Sequence, residues 1–383
     1  MESGSTELTG ADVKYSLLRT GEETWQEFWY SIVPQEPKPI ADQIREIEIA
    51  ESELFEFRNV APESIAARRF FSSDLITHSD EIGKYKARQK SDFFLSVTEQ
   101  PPANNVKVAL MGMCLGNIPA NGKTRDGNII CLDTDVGIKH IFVEHLLDCD
   151  ADEHSDAESQ TTKIFNGLEE TLSEFGTTTE ESVLRTWIFA PHVDADYPGI
   201  VKARKVLFDA MNMTEKTHYI ASTGIQGGSG NRFARVFMDV YAVVGIQQSN
   251  VRYIQAPKHL SPTHVYGVTF ERATAVELGK TDFLFISGTA SIDSKGEVVH
   301  PGDVVKQTER TLKNISALVD SADFQRGDLS SFIVYLRDQA DYEFVRPLIE
   351  QYCPNLPTVY VRAFACRPGW LIEIEGAAAK VIP

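Results

Sequence analysis

An α+β fold built from two tandem, related units is what this sequence predicts. Three observations carry that expectation: an internal repeat, a strand that follows each repeated helix, and a hairpin signal ahead of the second copy. The repeat weighs most. HSDAESQTTKIFNGLEETLSEFG, from His154, is answered by HPGDVVKQTERTLKNISALVDSAD, from His300, with Gln160-Thr161 standing where Gln307-Thr308 stands. Phe165, Leu168 and Leu172 form one apolar stripe of helical spacing, and Leu312, Ile315 and Val319 form its counterpart.

After each helix comes a strand, TWIFA at Thr186 and FIVYL at Phe332, and then a second helix. DADYPGIVKARKVLF in the first copy answers QADYEFVRPLIEQYC in the second. Two strands close the second copy, TVYVRAFA from Thr358 and WLIEIEGAA from Trp370, joined through Pro368-Gly369. RVFMDVYAV fills the last slot of the first copy, and the Gly-rich TGIQGGSGNR (Thr223 to Arg232) is a loop ahead of it. FERATAVEL and DFLFISGTA flank Gly279-Lys280 as a hairpin, so the second unit reads β-β-α-β-α-β-β over Val265 to Pro383. The helices should pack on one face of a mixed sheet. The expected domains are residues 1–250, a degenerate unit with a helical N-terminal elaboration, and residues 251–383. In the elaboration, IADQIREIEIAESELFEF reads as a helix, VKVALMGMCL as a buried strand and residues 1–12 as disordered.

The 383 residues suit two domains, and 42% hydrophobic content suffices for packed cores. A formal net charge of -18 argues against a nucleic-acid partner, which needs clustered Lys and Arg, but leaves room for a small anion held by a few local arginines. No apolar run has the length of a membrane span. The opening MESGSTELTGAD has neither a basic nor an apolar leader region, so a cytoplasmic location is expected. Five cysteines, with no C-x-x-C pair, read as free thiols in a reducing compartment. His140, His145, Cys149 and His154, with the acidic run DCDADEHSD, fit no zinc spacing and read as a solvated acidic loop, so no metal is expected.

The second unit resembles a Rid (reactive intermediate deaminase, YjgF-like) domain through FISGTASID, VYLRDQADYEFV and WLIEIEGAA. A fused pair of such units with a degenerate first copy is similar to the chorismatase family. The residues that carry this are Ser222-Thr-Gly-Ile225, Phe270-x-Arg272-Ala273, GDVVKQTE, and Cys366-Arg367 ahead of Leu371-Ile-Glu-Ile-Glu375. Glu271 stands where that family usually has Ser, Gln226 stands where it has Gly, and the stretch before Phe270 is shortened to HLSPTHVYGVT. The resemblance implies cleavage of chorismate with release of pyruvate, no cofactor, and a homo-oligomer, a trimer being the usual Rid assembly.

Glu373 and Glu375 lie two apart on a strand among apolar residues and so share a face. Burial and a like charge nearby raise a carboxyl pKa, which suits a general acid at neutral pH. Glu373 is assigned as the acid and Glu375 as its tuner; a structural ion pair is the competing role. Arg367, Arg272 and Arg346 are candidate holders of a small carboxylate ligand, since a guanidinium matches it in plane. Ser287 and Gly288 offer a hydroxyl and a backbone N–H, and Phe270, Thr223 and Gly224 complete the candidate pocket. By resemblance, Cys366 guides formation of a hydroxybenzoate; a small buried hydrophobe is the alternative. Besides the chorismatase reading, the fold admits imine or enamine hydrolysis, for which Arg362 would have to hold the substrate, and a non-catalytic ligand-binding or assembly role.

Overall fold

The computed structural model describes residues 1–21, 24–89, 92–119, 121–134 and 136–382. Alternation of apolar and polar residues in ADVKYSLLR and WQEFWYSIV buries Val13, Leu17, Phe28, Tyr30 and Ile32, and these segments form a meander with the polar edge strand that precedes them. The first sheet contains β1 (Glu2–Leu8), β2 (Ala11–Arg19), β3 (Trp25–Pro34), β4 (Ile65–Ser72), β5 (Phe94–Glu99) and β6 (Val108–Leu115), in the order β1-β2-β3-β6-β4-β5. α1 (Ile40–Arg58) follows β3 and α2 (Ser79–Arg88) follows β4. Ile44, Ile47 and Leu54 of α1 pack with Phe28, Tyr30 and Phe70 in a core of their own.

The same plan recurs twice. β7 (Lys123–Asp126), β8 (Ile129–Asp133), β9 (Lys139–Leu147), α3 (Ala157–Ser173), the single turn α4 (Thr179–Ser182), β10 (Val183–Ala190), α5 (Val193–Ala210), β11 (Ala221–Gln226) and β12 (Phe237–Val244) make the second unit. β13 (Val251–Ile254), β14 (Ala273–Leu278), β15 (Thr281–Ala290), α6 (Val304–Ser321), β16 (Leu329–Leu336), α7 (Tyr342–Tyr352), β17 (Thr358–Arg362) and β18 (Ile372–Val381) make the third. Their sheets run β11-β10-β12-β9-β8-β7 and β13-β14-β15-β18-β16-β17, the order of the first sheet. In every sheet only the penultimate crossover is parallel: β4 with β5, β10 with β11, β16 with β17. Among its pairing shifts each sheet carries one at the matching position, between Ile65 and Ala67, Val183 and Arg185, and Leu329 and Ser331.

The α+β class, the helices on one face of a mixed sheet, the repeated units and the Gly279-Lys280 hairpin therefore hold, and the stripes of α3 and α6 are buried as read. The count of units is three. The region expected to be a helical elaboration is a full unit, and residues 1–12, expected to be disordered, begin it as a strand. β1 has little apolar content but pairs along its length with β2, Glu2 opposite Leu17 to Leu8 opposite Ala11, and Glu2 is held by Arg19 at 3.3 Å and by Arg58. Backbone pairing and charge, not an apolar stripe, make it a strand. The last strand of the second sheet ends at Val244 and the first strand of the third begins at Val251.

Helices cover the outer face of each sheet, and the inner faces of all three meet. Met113, Leu115, Phe142, Leu184, Tyr241, Val276 and Phe283 share that central core. With both faces covered, strands such as β6 and β16 are buried at every residue, and β6 reads as a continuous apolar run.

Candidate active site at the border of the second and third units

Strand register explains where the chemistry falls. Glu373 pairs with Tyr335 on the third sheet; the positions in matching register are Phe237, opposite Phe189, and Ala109, opposite Phe71. One unit in three thus presents a carboxylate at this place. Next to it, β15 bulges: Ile286 faces Gly376 and Thr289 faces Ile374, so Ser287 and Gly288 together stand opposite the single residue Glu375. A Cβ at Gly288 would overlap the Glu373 carboxylate, so glycine at the bulge leaves the acid its room.

Ser287 works as a clasp between units. Its Oγ accepts from Ser222 N–H at 2.9 Å and donates to the Glu271 carbonyl at 2.6 Å, while Gly288 N–H donates to Thr223 Oγ1 at 3.0 Å. Glu271 itself is buried, accepting from Tyr219 N–H at 2.9 Å and Gln255 Nε2 at 3.1 Å. It stands outside the pocket lining, where it holds β11 of one unit against the start of β14 in the next.

The pocket between these units encloses about 510 Å³ of empty space, its open mouth included. Glu373, Cys366, Arg367, Arg272, Phe270, Gly224 and Gly288 all line it, so the structure brings together most of the residues singled out in the sequence. Gly224 is glycine because a Cβ there would press on the Tyr197 ring at 2.8 Å. Arg272 donates through Nε and Nη2 to the Ser261 carbonyl at 3.2 and 2.7 Å. It and Arg367 lie over the ring of Tyr266, 5.3 and 4.5 Å from its centroid, which fixes both guanidinium planes at the pocket wall.

Four predicted residues stand off the pocket lining: Ser287, expected to offer its hydroxyl to a ligand, is fully buried and spends it on the clasp, and three others lie apart. Arg346, on α7, pairs weakly with Glu350 at 3.4 Å and faces a separate groove with Lys14 and Tyr360. A helix that follows the DY turn points it away from the second unit. Thr223 is fully buried behind the pocket, bridging Gly288 and Arg185. Glu375, whose assigned role was to tune the acid, is clasped at the meeting of the three sheets: Arg69 Nη1 donates at 2.6 Å, Arg185 Nη2 at 2.8 Å and Trp187 Nε1 at 2.9 Å.

Sequence reasoning missed Arg204 and Tyr197, both on α5 and both lining the pocket. Arg204 is 3% exposed; it donates to the Thr269 carbonyl, and its Nε has no protein partner. Its signal was available: it stands four residues after Ile200 and four before Phe208, on the buried stripe of the helix.

The electrostatics separate the two glutamates. Burial, helped by the charge of Glu375, pushes Glu373 up to about 8 against the pull of Arg185 and Arg272. Burial opposes ionisation of Glu375 as well, but the two arginines in contact outweigh it and hold this carboxyl below its usual range. Burial also pushes the Cys366 thiol up to about 12, with Glu373 adding to the effect, so it stays a thiol. Burial brings Arg204 down to about 10, still protonated at neutral pH. The pocket therefore offers a protonated carboxyl facing three guanidinium groups, an arrangement suited to delivering a proton to a bound anion.

Residues 271–380 match the Endoribonuclease L-PSP family. A 3-hydroxybenzoate synthase of Streptomyces hygroscopicus is 29% identical over 231 residues, which is 54% of this chain and 65% of that protein. A RutC family protein of Pyrococcus horikoshii is 33% identical over 128 residues, 33% of this chain and 92% of the relative. In three dimensions a crystal structure of chorismatase covers 97% of the chain and is itself covered completely, with a TM-score of 0.63 at 17% identity.

Proposed function

Since the chain belongs to the Rid family of RutC-like domains and has a chorismatase-like fold throughout, we propose that it cleaves the enolpyruvyl ether of chorismate, or of a closely related small carboxylate, by general acid catalysis at Glu373. The observation that carries this reading is the protonated, buried Glu373 beside Arg204, Arg272 and Arg367 in one pocket. The Glu373 carboxyl donates its proton to the terminal methylene carbon of the enol ether, and the ether oxygen stabilises the cation that forms. Water adds to that cation, and the hemiketal collapses to pyruvate and the ring alcohol. If the neighbouring ring hydroxyl adds instead, a cyclic ketal forms; one ring C–O bond breaks so that its oxygen becomes the pyruvate carbonyl, the ring loses a proton, and a hydroxybenzoate is left without net uptake of water. The arginines hold the substrate carboxylates through planar, charge-assisted hydrogen bonds.

The imine-hydrolysis alternative has less support. Arg362 lies at the end of β17 with its guanidinium 4.9 Å from the Phe364 ring centroid, outside the Glu373 pocket. The pocket of one chain is completed by its own second and third units, so on this reading catalysis does not require a partner subunit. The test is pyruvate release from chorismate by the purified chain. Wild type should turn over, and Glu373→Gln should lose about 10²–10⁴-fold while still folding. Near-full turnover in Glu373→Gln would remove the acid assignment, and no pyruvate from the wild type would remove the substrate.

A further inference from the structure

A second cavity lies where the inner faces of the three sheets meet, separate from the Glu373 pocket and larger, about 780 Å³ with its mouth included. Its wall is largely apolar, with the aromatic rings of Trp29, Phe94, Phe142, Trp187 and Phe285 among the lining residues. Into this apolar space the first unit sends Arg69 and the second Arg185, whose side chains are 9% and 3% exposed. Each spends one nitrogen on Glu375. Arg69 Nε and Nη2 and Arg185 Nη1 then remain buried with no protein partner. Two guanidinium groups around one carboxylate are more than structural pairing requires, and buried donors of this strength call for an acceptor.

We propose that this axial cavity is a binding site for a small monocarboxylate with an apolar tail. Its carboxylate accepts from the free N–H groups of Arg69 and Arg185, in the planar geometry a guanidinium favours, and its tail lies against the apolar wall. The stacking of both guanidinium groups on Trp187, 5.0 and 5.1 Å from its ring centroid, presents them pre-organised to the ligand.

The test uses propionate as the probe and the indole N–H signals of the full-length chain as the readout. Trp187 and Trp29 line the axial cavity and Trp370 lines the Glu373 pocket, so the signals tell the two sites apart. Propionate should move the Trp187 and Trp29 signals saturably, whether or not Trp370 also responds, and propionamide, which lacks the charge, should not move them. Ala67→Leu, which fills the cavity without touching a charge, should weaken binding at least tenfold, as should Arg69→Met if that variant folds. Arg367→Ala, in the other pocket, should leave it unchanged. The proposal is overturned if only Trp370 responds, if no signal moves, if chloride acts as well as propionate, or if Ala67→Leu binds like the wild type.

Discussion

Two borders between units are built on one register and end in opposite states. Between the second and third units, Ser287-Gly288 bulges from β15, Ser222 N–H donates to Ser287 Oγ, and Glu373 faces an open pocket. Between the first and second units the bulge recurs on β9, where Val143 and Leu146 flank Glu144-His145. The clasp recurs too, with Leu95 N–H donating to Glu144 Oε2 at 2.8 Å. Here, however, His145 takes the glycine's place, at φ 56, and its ring sits 5.0 Å from that of Phe237, which takes the acid's place. Burial, helped by Lys86, lowers His145 to about 4, so the ring is neutral. At the third border there is no bulge; Ser31 Oγ accepts from Thr358 N–H at 3.2 Å, and Tyr360, Lys14 and Glu350 lie in the groove. The scaffold of a site is thus separable from its chemistry: at the bulge and at the acid's register, a glycine and a glutamate stand at the open border where a histidine and a phenylalanine fill the other.

Several measurements break or sharpen this contrast. Glu373→Gln carries the largest effect, the loss of about 10²–10⁴-fold in pyruvate release, because no other unit supplies a carboxylate in that register. Glu375→Gln should act on the fold, leaving Arg69 and Arg185 without their shared counter-charge and costing about 3–5 kcal/mol in denaturant unfolding. A variant as stable as wild type would show that the three sheets do not depend on that clasp. Gly288→Ala forces the acid to move, and about 10²-fold of activity should go with it at little cost in folding. Its mirror experiment, His145→Gly, should lose about 1 kcal/mol of stability with the ring contact and gain no activity, because Phe237 still fills the acid's position.

The pH profile is a gentler probe. The proton on Glu373 is held in the fold until about pH 8, so pyruvate release should fall as pH rises through that value, about tenfold per unit above it. Its folded pKa lies above the ordinary carboxyl value, so the same group also costs stability as pH rises from that ordinary value to about 8. In Glu373→Gln this part of the stability slope should vanish, and an unchanged slope would mean that another group titrates. Smallest of all, Cys366→Ala should alter the ratio of hydroxybenzoate to ring-alcohol product more than the total rate; unchanged products would return the thiol to a packing role.

Much of the third unit was legible because its signals are local. The hairpin at Gly279-Lys280, the stripe of α6 and the IEIEG strand each declare themselves within a dozen residues. The first unit was not, because it shares the fold's order of periodicities without sharing its residues: no Gln-Thr pair opens α1, no DY turn opens α2, and β1 is polar. The signal was the succession itself, three strands, a helix, a strand, a helix and two strands, repeated three times. The site divides in the same way. Glu373 and Arg367 follow from their own neighbourhood, whereas Arg204 and the partners of Glu375 arrive from other units, at sequence separations where spacing carries no information.

The joining of three units in one chain has a further consequence. In a ring of identical subunits every substitution is copied to every interface, so a change that improves one border is imposed on all of them. Covalent linkage lifts that restriction. Here one border could keep an acid, a second could be sealed with an aromatic pair and a third could be crossed by the Lys14–Glu350 ion pair, each without cost to the others. The molecule trades the number of sites for independence among them, and its centre, no longer bound to threefold equality, can hold two arginines and one glutamate where a symmetric ring would have to place three of the same residue.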